Sequence, residues 1–108
     1  IMDTRNPSAD RAIRAELEKE LPGSIEGWHH LRHRTSGNTT WVELHLKFSD
    51  EVSIERAHSD ATRLERNIID ALDTDAIITM HFEPLHGHDK DHQLLKGANK
   101  TKRLDEFA

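Results

Sequence analysis

The chain contains no cysteine. Disulfides, thiolate nucleophiles and cysteine-type zinc fingers are therefore excluded. It has no apolar run approaching the roughly 20 residues that a bilayer-spanning helix needs. It shows no signal-peptide pattern and no internal repeat. It also lacks a basic excess: the net charge is -5 over 108 residues. Its Lys and Arg are scattered, which argues against a nucleic-acid partner. What remains is one small domain with a modest core and a well-solvated surface, 32% of its residues being charged. Histidine is the outlier. There are nine, and imidazole is the commonest side-chain ligand for borderline metals.

One stretch organises the rest. Between Thr40 and Phe48 the residues alternate without a break. Val42, Leu44, Leu46 and Phe48 fall on one side, and Trp41, Glu43, His45 and Lys47 on the other. That period marks a half-buried strand. The aliphatic side must meet a core. The other side presents an aromatic, a carboxylate and an imidazole in a row, where a merely solvated face would carry interchangeable polar groups.

The other elements follow in order. Residues 1–7 read as a linker. Ser8 is the expected N-cap of a helix to about Leu21, with Ile13, Leu17 and Leu21 as its apolar stripe. Pro22-Gly23 stops it. Residues 28–34 read as a first strand, and the short turn at 35–38 favours an antiparallel hairpin. Ser53 caps a second helix to about Leu72, its apolar positions being Ile54, Ala57, Ala61, Leu64, Ile68 and Leu72. Ala76 to Glu83 is a third strand, with Ile78, Met80 and Phe82 opposite Ile77, Thr79, His81 and Glu83. Residues 86–108 are charged and glycine-dotted, and read as a mobile tail.

The order is thus α-β-β-α-β. A strand-helix-strand crossover gives parallel neighbours with a right-handed connection. The expected fold is an α+β open-faced sandwich, ferredoxin-like without its first strand. Its three-stranded mixed sheet has the second strand in the middle and both helices on one face. The open face, with Trp41, Glu43, His45, His81 and Glu83, invites homodimerisation, and Trp41 is assigned to interface packing.

Several segments together resemble a known family. They are Ile1-Met2-Asp3 followed by Pro7, then His29-His30-Leu31-Arg32-His33-Arg34-Thr35-Ser36-Gly37, Glu43-Leu44-His45-Leu46, Ala57-His58 and His81-Phe82-Glu83-Pro84. In order and spacing they resemble the cytoplasmic C-terminal domain of cation diffusion facilitator transporters, over residues 1 to about 85. Ile1 in place of Met fits a piece of a longer protein, with the linker 1–7 following a membrane domain. The resemblance implies a soluble domain, on the cytoplasmic side of the inner membrane, that dimerises and binds metal near the dimer interface. By matched position, the metal-binding residues are His29, His45, His58, His81 and Glu83. Glu43 is a further candidate, as are His86, His88 and His92 in the tail. Glu83 stands where an aspartate is common, a longer carboxylate that bears on metal preference.

The donor chemistry agrees. Zn²⁺ accepts imidazole nitrogen and carboxylate oxygen, usually four ligands in all. His45 and His81 share a face on neighbouring strands, and His81 and Glu83 lie two apart on one strand. Zn²⁺ is the expected ion, with Fe²⁺, Co²⁺, Cd²⁺ and Mn²⁺ as alternatives. Plainer readings stand beside these. His45 suits an ordinary interface histidine, and His81 with Glu83 a surface pair. His58 falls in the apolar arc of its helix and suits a boundary core position. His29 shares parity with Leu31, which argues for the covered face. His30 and His33 read as solvated.

Three functions are compatible with the sequence. The favoured one is the regulatory, non-enzymatic domain of a divalent-cation efflux transporter, joined to its own membrane domain. A free-standing ferredoxin-like metal chaperone or small-ligand module is the alternative. A zinc hydrolase is disfavoured, because no His-Glu-x-x-His helix is present.

Overall fold

The structure, a computed structural model, describes residues 6–86. The tail histidines His88 and His92 lie outside the described residues, as do residues 1–5 of the linker. The order is α1 (Pro7–Glu18), β1 (Ile25–Ser36), β2 (Thr39–Phe48), α2 (Ile54–Ala71) and β3 (Asp75–Pro84). The sheet runs β1-β2-β3, with β1 antiparallel and β3 parallel to β2. This is the expected open-faced sandwich.

Local chemistry sets the element ends. The cap of α1 is Asn6, not Ser8: the Asn6 side chain accepts from the Ala9 N–H at 3.0 Å. Pro7 then occupies the first turn, where its missing N–H costs nothing. The Asn6 amide also donates to the Thr35 hydroxyl, tying the helix start to the end of β1. The helix stops at Glu18, so Leu21 packs against the core from the connecting loop. Ser53 caps α2 as expected, its hydroxyl accepting from the Arg56 N–H at 3.0 Å.

Both helices lie on the aliphatic side of β2. Leu44 and Leu46 are fully buried against Ile13 and Leu17 of α1 and Ala57, Ala61, Leu64 and Ile68 of α2. Ile54 was expected in this stripe but is 87% exposed. It is the first residue of α2, directly after the Ser53 cap. The inward position that periodicity missed is Asp60, 1% exposed. Its carboxylate accepts from the Ser24 N–H (2.7 Å), the Ser24 hydroxyl (2.6 Å), Arg56 (3.0 Å) and Arg63 (3.2 Å). Asp60 thus fastens the α1–β1 loop to α2. Gly23 in that loop has φ +45°, and a Cβ there would sit 2.4 Å from an Asp60 oxygen; only glycine satisfies both demands.

The strand β1 is not regular. Its pairing with β2 slips between His29 and Arg32: His29 faces His45, while Arg32 faces Glu43. Three steps on β1 match two on β2, which is a β-bulge. His30 within it has φ +54°. A bulge inverts the parity of everything beyond it.

Candidate metal centre

That inversion builds the site. Trp28 and Leu31 both pack against the core, although they are three apart. With one residue absorbed between them, His29 turns to the open face beside its partner His45. Beyond the bulge, His33 turns the other way, toward α1. His33 is thus not solvated: its side chain is 12% exposed and its Nε2 meets Asp10 at 2.8 Å. The pair of apolar residues at odd spacing was the signal in the sequence for this slip.

On the open face, β2 and β3 run in register, His45 beside His81 and Lys47 beside Glu83. The Glu83 carboxylate lies across the strand ends. Its Oε1 accepts from His29 Nε2 at 2.7 Å, and its Oε2 accepts from His45 Nδ1. One donor atom each from His29, His45 and Glu83 lie within 4.8 Å of one another, and all three residues are half-buried. These residues come from three different strands, so the sheet holds them without help from a loop. Burial pulls the Glu83 carboxyl upward, but the hydrogen bonds from His45 and His29 outweigh it and set its pKa below the ordinary value. The group is a carboxylate at neutral pH.

The remaining candidates divide. His81 is exposed and stacks on His45 at 4.6 Å between ring centres. Its Nε2 donates to Glu43 at 3.0 Å, and that bond is the main cause of Glu43's lowered pKa. Arg32, which the sequence reading did not single out, stands 3.8 Å from Glu43. Trp41 carries the Arg34 guanidinium over its ring at 4.6 Å. His30 is exposed, yet its ring centre is 4.2 Å from His29 and 5.1 Å from His45. His58 is exposed on α2, in the helix layer and away from the open face; it is no boundary core residue, because the buried arc of α2 runs through Ala57, Asp60 and Ala61. His86 is also exposed, its backbone N–H donating to Asp50, apart from the three-residue group.

Two neutral-capable imidazoles and one carboxylate fit a zinc-type ion, whose sites combine nitrogen and oxygen donors. Glu83 already spans both rings, so a cation replacing the shared protons would find its ligands near their places. A family model described as the cytoplasmic domain of cation efflux proteins matches residues 7–85.

The chain belongs to this family.

Members of it are transporter domains and not enzymes, which closes the hydrolase alternative. A cation efflux protein of Salmonella newport, the pump FieF, is 30% identical over 84 residues, 78% of this chain. The chain spans 27% of that pump's length. Among solved structures, the zinc transporter CzrB is 30% identical with a TM-score of 0.66, covering 75% of this chain and 98% of that one. Its zinc form is 28% identical with a TM-score of 0.67, covering 78% and 93%. This cation efflux domain is cytoplasmic by family, and no helix among the described residues is long and apolar enough to cross a membrane.

Proposed function

We propose that this domain senses divalent cations, Zn²⁺ first among them, for an efflux transporter. One observation carries the reading: His29, His45 and Glu83 converge from three strands to within 4.8 Å. The zinc form of the related CzrB domain supports Zn²⁺ over the other ions. His81 and Glu43 supply a second, more exposed donor pair beside the first. His58, exposed in the helix layer, lies away from these donors.

The open sheet face is the proposed homodimer surface. It leaves Ile77 52% exposed beside Trp41, and an uncovered face in so small a domain favours self-association. Cation binding removes the repulsion between carboxylates of the two copies and so biases the pair toward its closed arrangement. It does this only to the extent that the ion prefers that arrangement. The attached membrane domain of the full protein reads the change, and its transport of the same class of ion is part of the proposal.

Calorimetric titration of the 108-residue chain with Zn²⁺, with light scattering on the same samples, tests this. Saturable binding with dimer formation is expected, weakened in His45→Ala. Equal binding by His45→Ala, or a monomer at every concentration with and without Zn²⁺, overturns the site or the interface respectively.

A further inference from the structure

The bulge in β1 does more than turn His29. It also lifts His30 into the same group of rings. We propose that His30 supplies a third imidazole to the cation held by His29, His45 and Glu83, closing a four-ligand site. The proposal rests on the metal-binding reading above and adds a residue to it.

The distances carry the argument. Two imidazoles bound to one tetrahedral ion, with metal–nitrogen bonds of about 2.0–2.1 Å, have ring centres about 5 Å apart. His29 and His45 stand 5.2 Å apart, and His30 and His45 stand 5.1 Å apart. His29 and His30 are closer, at 4.2 Å with 40° between their planes. That pair must open by about 1 Å for both to face one ion. The His30 nitrogens are not in the converged group as the ring stands. The side chain is exposed, so rotation about its own bonds meets little resistance.

The backbone points the same way. His30 has φ +54°, a left-handed conformation that glycine adopts freely and other residues at a cost. Histidine tolerates it better than most, but a bulge needs no imidazole for its own sake. Held strain at a convergence of donors is a mark of a functional position. The left-handed turn lets consecutive residues, His29 and His30, approach the same point, which a regular strand forbids because neighbours face opposite sides.

A closed site of three imidazoles and one carboxylate has a definite chemical preference. Imidazole suits Zn²⁺ and Co²⁺, whereas oxygen donors suit Mn²⁺ and Mg²⁺. His30 therefore favours zinc-type ions over Mn²⁺.

The test uses the 108-residue chain, with Zn²⁺ in competition against a chelator and Co²⁺ as the spectroscopic probe. The variants are His30→Asn and His30→Gly, both of which accept the left-handed backbone, and His29→Ala as a reference. Each His30 variant is expected to lose about tenfold or more in Zn²⁺ affinity, with little change for Mn²⁺. Its Co²⁺ spectrum is expected to shift from the four-ligand tetrahedral form. A role in the backbone alone predicts wild-type Zn²⁺ affinity in His30→Gly, and that result overturns the proposal. Loss of affinity in His29→Ala with none in either His30 variant also overturns it, while leaving the three-residue site in place. No loss in any of the three removes the site reading and this inference together. Unchanged thermal midpoints in the metal-free variants show that the losses do not come from unfolding.

Discussion

Two carboxylates in this domain are held by several partners each, and they are held for different ends. Asp60, between α2 and the α1–β1 loop, is 1% exposed and takes its hydrogen bonds from a backbone N–H, a hydroxyl and two guanidinium groups. None of these donors gives up its proton in the physiological range. The Ser24 hydroxyl and N–H prevail over burial and hold the Asp60 carboxyl far below the ordinary range. Glu83 takes its bonds from two imidazoles on the open sheet face. Imidazoles exchange protons near neutrality and bind metal when they are neutral. Partner chemistry thus separates a fastening from a site, although both groups read as anchored acids.

The largest effect that could break this contrast is Asp60→Ala. It strands the half-buried Ser24 N–H and frees two arginines, and should cost about 2–4 kcal/mol in urea unfolding. The variant, where folded, should bind Zn²⁺ as the parent does. A stable Asp60→Ala chain that has lost Zn²⁺ would reverse the assignment of the two acids.

His45→Ala is the converse. Zn²⁺ affinity should fall by more than about tenfold, or about 1.4 kcal/mol, by calorimetry. Metal-free stability should move by less than about 1 kcal/mol, since the ring is only half-buried. A stability loss as large as that of Asp60→Ala would make His45 a structural residue.

Acid should separate the two regions by pH. The folded pKa of Asp60 is depressed, so its contribution is fully present above the unfolded value of about 3.9 and is lost as pH falls below it. Unfolding free energy from this region should therefore hold at mildly acidic pH and drop only below about pH 4. Zn²⁺ should leave earlier, because protons compete for the imidazoles. Titrations of stability and of Zn²⁺ binding that fall together at one pH would remove the distinction.

The smallest effect is expected for His58→Ala. The residue is exposed in the helix layer, and stability should stay within about 0.5 kcal/mol by thermal unfolding. A larger loss would mean that α2 packs through that side.

Much of the fold was legible in the chain. The alternation at residues 40–48 placed Leu44 and Leu46 inward and His45 outward, because side chains alternate strictly along a strand. Alternation along β3 then put His81 and Glu83 together on one face, with His81 beside His45. Three things could not be read from one strand at a time. His29 joins His45, and His33 turns to Asp10, only because one residue is absorbed at His30, and pairing with β2 alone reveals that slip. Asp60 looks like a solvated helix charge until Ser24 arrives from a loop 36 residues away. His58 matches a ligand position by the family resemblance, and its own helix places it in the helix layer. The sequence by itself determined the layers, the strand order and the face on which the chemistry sits, since these follow from local periodicity and chain handedness. The tertiary structure decided which histidines meet Glu83, because convergence depends on register between strands, and a single bulge inverts it.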